Sequence, residues 1–202
     1  MRLAHAIIVF LLLMTTSVFA ADPAPLAMLK STSAQMIGEL NKHQAQLKDQ
    51  PKIVNDIVNR ILLPHVDLEG MSRAVVGRGY WIQATPKQRR QFETEFTQMV
   101  VNTYAAALQN YNGEQVRFFP IRGYDPDQSQ VQVNSQILQA NNQRINVQYL
   151  LTRKGTRWEV YDFSVDGISL VQSYHSQFSS VLADSGFTGL LSRVIAHNQA
   201  QQ

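Results

Sequence analysis

Apolar residues recur at helical spacing through the first half of the chain and at strand spacing through much of the second. Over residues 26–47, Leu26, Leu29, Met36, Ile37, Leu40 and Leu47 form one stripe on an otherwise polar segment, which predicts a surface helix. Pro51 opens a second helix, whose Ile53, Val54, Ile57, Val58, Ile61 and Leu62 keep a 3.6-residue rhythm until Pro64 stops it. Asp67 can cap a short third helix over 68–76, with Gly77 and Gly79 ending it. Thr85, Pro86 and Gln88 occupy the N-cap, first and third positions of a capping box. The helix they start runs to about Tyr111, with Phe92, Phe96, Met99, Val100, Tyr104 and Leu108 on one face, and Asn112 and Gly113 end it.

Beyond Gly113 the period changes. Val116 and Phe118 begin a strand that Pro120 interrupts. Val131, Val133, Ser135 and Ile137 alternate with Gln130, Gln132, Asn134 and Gln136; Ile145, Val147, Tyr149 and Leu151 alternate with Asn146, Gln148 and Thr152. Short turns at Asn141–Asn142 and Lys154–Gly155 join these strands, so the sheet is expected to be an antiparallel meander. The last strand, within 156–165, breaks its own alternation: Trp158 and Val160 share one face, whereas Tyr161, Phe163 and Val165 fall on the other. Either a bulge switches the face near Val160, or the strand is covered on both sides. Asp166 and Gly167 then turn the chain into a helix marked by Ile168, Val171, Tyr174 and Phe178, continuing through Val181 and Leu182 to Gly186. Thr188 is placed to cap a last helix carrying Leu190, Leu191, Val194 and Ile195. Helices, then a meander, then helices make an α+β domain.

Composition adds a compartment. Arg2, the apolar run at 7–14, and Val18 and Ala20 in cleavage-site positions read as a signal peptide over 1–20. An uncleaved anchor is the alternative, but the apolar run is short for a membrane span. Residues 21–202 are then one exported domain. The formal net charge of +3 is too small to argue for nucleic acid. With no cysteine, disulfides, thiol catalysis and thiolate metal sites are excluded, and the domain must hold itself by its core. Hydrophobic residues at 45% suffice for that.

Candidate chemistry is sparse. His5, His43, His65, His175 and His197 lack the short pair spacings of zinc sites. Asp162 and Asp166 flank the end of the last strand, where backbone hydrogen bonding and a turn explain them better than acid–base catalysis. There is no nucleophile elbow, and Gly77, Arg78 and Gly79 lack the strand-to-helix setting of a phosphate loop. Basic residues gather at Arg73 and Arg78, at Lys87, Arg89 and Arg90, and at Arg153, Lys154 and Arg157. Solvated charge explains most of them, although cations in a helix's first turn oppose its dipole. Contact with anionic head groups or an acidic partner is the functional alternative.

Several of these residues resemble one family. Trp158, Glu159, Val160, Tyr161 and Asp162, followed by Val165 to Leu170 and Tyr174, resemble the signature of the MlaC family of periplasmic phospholipid-binding, or toluene-tolerance, proteins. Pro64 to Asp67 with Met71 and Arg73, Gly77 to Trp81, Thr85 to Arg89 with Phe92 and Phe96, and Gly186 to Leu190 agree in order and spacing. The resemblance implies helices and a curved sheet enclosing an apolar pocket, a layer of the nuclear-transport-factor-like or cystatin-like kind. It implies no catalytic residue, no cofactor beyond phospholipid as cargo, and a monomeric periplasmic shuttle that maintains outer-membrane lipid asymmetry. The partners it implies are an inner-membrane ABC transporter complex and an outer-membrane lipoprotein–porin complex. No short motif marks the pocket. The lining expected from inward-facing positions is Tyr80, Trp81, Phe96, Met99, Val100, Tyr104, Val133, Ile137, Val147, Tyr149, Leu151, Trp158, Val160, Phe163, Ile168 and Val171. Amphipathic pattern alone fits a solid core equally well. Two other functions stay open on residues alone: an enzyme using Tyr104, Tyr149 or Asp162 in such a pocket, and a periplasmic interaction module with an exposed apolar patch.

Overall fold

In the computed structural model of the protein, which describes residues 21–201, helices pack on one antiparallel sheet. The expected leader, residues 1–20, lies outside the described residues. The first stripe forms α1 (Ala24–His43), followed by a 3-10 turn (Gln44–Gln46). Pro51 is the first residue of α2 (Pro51–Ile57), which widens into a π turn (Val58–Leu62) and tightens to 3-10 geometry at Leu63–His65, around Pro64. Asp67 caps α3 (Leu68–Val76): its Oδ1 accepts the Gly70 N–H at 2.9 Å.

Gly79 does not end that helix. A further short helix, α4 (Arg78–Gln83), starts directly after Gly77, which turns the chain with φ of 84°. Gly77 before it and Gly79 within it disguise it locally, and tertiary packing holds it: Trp81 is buried, edge-on to Phe187 at 6.2 Å, with the Arg89 guanidinium over its ring at 5.7 Å. The capping box forms as the sequence predicts and starts α5 (Pro86–Gln109), the Gln88 N–H donating to Thr85 Oγ1 and the Thr85 N–H to Gln88 Oε1.

Strands β1 (Gln115–Phe118), β2 (Gln130–Leu138), β3 (Arg144–Lys154), β4 (Arg157–Val165) and β5 (Ile168–Ser169) pair in chain order as an antiparallel meander. The register settles the odd alternation of β4. Leu151 pairs with Val160 but Leu150 pairs with Asp162, so Tyr161 is an extra residue in a β-bulge. The bulge returns Phe163 and Val165, opposite Tyr149 and Val147, to the face that carries Trp158, Val160 and Leu151. The reverse face is also covered near the end of β4, where Asp162 and Ser164 are buried. Ile168, expected to start a helix, pairs instead with Val165 across an Asp166–Gly167 turn whose two residues both have positive φ.

The C-terminal segment α6 (Leu170–Gln199) is interrupted at Gly186, whose φ of 62° and ψ of −167° are not helical, so two helices meet at a kink where the sequence predicts the break. Thr188 makes no cap there; its hydroxyl accepts from Gln88 Nε2 at 3.1 Å, tying α6 to the start of α5. Near the other end Asn198 Nδ2 donates to the Glu95 carbonyl and carboxylate, at 2.9 and 2.7 Å. Three apolar clusters result. One joins α3 to α6 around Phe92 and Phe96; one joins the end of α1 to α2, the π turn and the second half of α5; one seats the start of α1 on the sheet. No helix among the described residues is long and apolar enough to cross a membrane.

Candidate functional site

A cavity of about 310 Å³ opens between the second and third clusters. Leu29 and Leu40, near opposite ends of α1, belong to different clusters, and the turns between them, Thr32, Ser33, Met36 and Ile37, face the gap. Leu62 of the π turn and Ala107, Leu108 and Tyr111 at the end of α5 close one side. Val116 and Phe118 of β1, Ile137 of β2, and Ile145 and Tyr149 of β3 form the floor. Strand pairing explains that floor: Val116, Ile137 and Ile145 lie opposite one another on one face of the sheet.

The lining is mainly aliphatic, with Phe118 and Tyr149 tilted against each other at 6.1 Å on the floor. Its polar members stand apart. Thr32 is buried and its hydroxyl donates to Met28 Sδ at 3.7 Å. Glu114 and Gln139 lie together at the end of the sheet where β1 begins and β2 stops. Burial pushes the Tyr149 and Tyr111 hydroxyls above the ordinary tyrosine value; a Ser135 contact and an Asn41 contact, respectively, oppose that rise. Shifts in that direction keep both phenols neutral and suit them to an apolar cavity, not to proton abstraction near neutral pH.

Of the residues expected to line a pocket, Ile137 and Tyr149 border this cavity. Val133, Val147, Leu151, Trp158 and Val160 are buried on the same sheet face, all but Val147 beneath the start of α1 in the third cluster. Trp81, Phe96 and Met99 are buried in the helical cluster, with Tyr80, Val100, Phe163 and Val171 packed against it. Tyr104 stands half-exposed with its ring edge-on to Phe163 at 5.8 Å, and Ile168 is 70% exposed at the tip of the last turn. The α1 residues were visible as a stripe, but nothing in a stripe marks which part of it borders a void.

The other candidate chemistry is occupied by structure. Asp162 accepts from the Ser169 hydroxyl at 2.6 Å and the Val171 N–H at 3.1 Å, anchoring the start of α6. Tyr104, Tyr149 and Asp162 thus sit in three separate settings. At the β3–β4 tip, Arg153 donates to the Pro126 and Asp127 carbonyls at 2.8 Å each and lies over Trp158. Lys154 pairs with buried Asp67 at 3.1 Å and Arg157 with Glu159 at 3.3 Å, so this cluster ties the hairpin to the start of α3 and to the β1–β2 connection. Among the described residues no group of three or more histidine or acidic side chains is placed to hold a metal.

A family model described as "MlaC protein" matches residues 30–195, nearly all of the described chain. The chain belongs to the MlaC family. Among its relatives, toluene tolerance protein ttg2D of Pseudomonas putida is 28% identical over 166 residues, covering 82% of this chain and 76% of that protein. The intermembrane phospholipid transport system binding protein MlaC of Haemophilus influenzae is 25% identical over 184 residues, or 90% and 85% of the two chains. A solved structure of a phospholipid-binding protein from Ralstonia solanacearum, in complex with a phospholipid, superposes with a TM-score of 0.81 at 26% identity, covering 89% of this chain and 98% of that one. The MlaC fold is therefore the fold described above: mixed helices, an open five-stranded antiparallel sheet and a helical C-terminus.

Proposed function

We propose that this MlaC-family chain binds and carries phospholipid, its acyl chains entering the cavity between α1 and the sheet. The apolar lining of that cavity is the observation that carries the reading. Two acyl chains expose tens of methylenes at about 0.8 kcal/mol each, on the order of 20 kcal/mol in all, so a carrier must enclose them. The lining supplies the apolar surface for such an enclosure, with few polar groups to desolvate. The cavity, about 310 Å³, stands at the small end of ligand pockets, which run from roughly 300 to 1,000 Å³. A whole two-chain lipid therefore needs α1 or the end of α5 to give way. The phospholipid-bound relative of the same fold supports the assignment. Native mass spectrometry of protein purified from cells tests it: the expected result is a mass increment of one phospholipid, and protein that is lipid-free and takes none from vesicles would refute it.

The wider role rests on the family. We infer an exported periplasmic monomer, freed of residues 1–20, that shuttles lipid between an inner-membrane ABC transporter complex and an outer-membrane lipoprotein–porin complex. In that role it maintains outer-membrane lipid asymmetry and catalyses no reaction. The relative named for intermembrane phospholipid transport supports this reading. Deleting the gene should raise phospholipid in the outer leaflet of the outer membrane, and an unchanged leaflet would remove the shuttle role.

A further inference from the structure

Glu114 is the single charged residue among those lining the cavity. It immediately precedes β1, two positions before Val116, so alternation puts it on the same face as Val116, Ile137 and Ile145. The same register lines up Gln115, Leu138 and Arg144 on the opposite face, and Arg117, paired with Gln136, falls on that face too, so these sheet cations are turned away. Glu114 Oε2 accepts the Asn112 N–H at 2.8 Å, which fixes the carboxylate. Among the described residues no basic side chain pairs with it. Gln139 and Tyr111 stand beside it in the lining. One end of an otherwise apolar cavity thus carries a fixed, unneutralised negative charge with neutral hydrogen-bonding groups around it.

We propose that Glu114 selects the lipid head group, favouring one that bears an ammonium, as in phosphatidylethanolamine, over the uncharged glycerol of phosphatidylglycerol. This rests on the carrier reading above. With the chains in the apolar part, the head lies at the Glu114 end, where an ammonium meets the carboxylate as a partly desolvated ion pair. A head group without a cation leaves the carboxylate unpaired beside the lipid phosphate, two negative charges facing each other. Gln139 and Tyr111 can hydrogen-bond to either lipid, so they do not discriminate.

The test incubates the protein with vesicles of equal parts phosphatidylethanolamine and phosphatidylglycerol with identical chains, then quantifies the extracted lipid by mass spectrometry. The wild type should enrich phosphatidylethanolamine about threefold over the vesicle, the scale of a half-exposed ion pair. Glu114→Gln, which keeps an acceptor for the Asn112 N–H, should bring the ratio to parity, and Glu114→Lys should invert it. Asp184→Asn, an exposed carboxylate on α6, should leave the ratio at the wild-type value. Lipid recovered in the same ratio from wild type and Glu114→Gln overturns the selection while the carrier reading stands; a wild type that recovers no lipid overturns both. Glu114→Gln decides the matter even where Glu114→Lys does not fold.

Discussion

The helix α5 serves two interiors of opposite character. Its first half sends Phe92, Phe96 and Met99 into a cluster filled by rings from α4 and α6: Phe92 stacks on Phe96 at 5.6 Å, and Tyr174, Phe178 and Phe187 close around them at 5.1 to 6.4 Å. Its last turns offer Ala107 and Leu108 to the cavity, opposite Met36 and Ile37 of α1. Both are amphipathic helix faces on an apolar neighbour. One is solid because aromatic side chains interlock across it. The other is bordered mainly by aliphatic side chains, and its rings, Tyr111, Phe118 and Tyr149, leave the space unfilled. Whether a buried face becomes core or container is decided by how side chains fill the space between elements, not by hydrophobicity.

Emptying the solid side should have the largest effect. Phe92→Ala removes a fully buried ring and should cost about 3–5 kcal/mol in urea unfolding. The protein that remains folded should keep its lipid; loss of both together would show one interior, not two. Removing the anchor of α6 comes next: Asp162→Ala strips partners from the Ser169 hydroxyl and the Val171 N–H and should cost about 2 kcal/mol. Lipid content per folded molecule should not change. Filling the hollow side is the complement. Ile37→Trp should lower lipid occupancy roughly tenfold, since a ring that displaces two of the lipid's methylenes from the cavity costs about 1.6 kcal/mol, while the melting temperature barely moves. A lipid load equal to wild type would place the chains elsewhere.

The smallest effect concerns the wall of the cavity. Glu39 of α1 accepts from Lys42 at 2.5 Å and reaches Arg60 of the π turn at 2.6 Å. These bonds, Lys42 first, hold its carboxyl at about 2, below the ordinary 4.5. A depressed value means the pairing contributes fully above pH 4.5 and is lost as pH falls toward 2. Glu39→Gln should flatten the decline of the urea midpoint over that interval, and an unaltered slope would mean that α1 is held by packing alone.

Much of this was legible from the residues. The capping box at Thr85 and Gln88 starts α5 by local chemistry, and the alternation of Val131 to Leu151 specifies the sheet register because one slip would bury glutamines. Asp67 as a cap depends only on neighbours, and it too is found. Where distant partners decide, the sequence is silent. The helix at 78–83 depends on Phe187 and Arg89 meeting Trp81. The bulge at Tyr161 stood as one of two readings until its pairing with β3 was known. The cavity is the extreme case: Met36 and Ile37 give the same stripe whether the space beyond them is filled or empty.

The meander has a consequence for how the protein survives at high concentration. An open sheet has two rims of unpaired backbone, each a template for another chain. Here one rim is the four-residue β1, followed closely by Pro120, and the other is the two-residue β5, from which the chain passes straight into α6. The long strands β2 and β3 are interior. β5 pairs only with Ser164 and Val165, so most of the outer edge of β4 lies beyond it and is met by the bridge from Val66 to Val160, where the Asp67 N–H donates to the Val160 carbonyl at 2.9 Å. Strand-to-strand aggregation thus has one open route, the outer edge of β4, and the Val66–Asp67 segment stands across its middle.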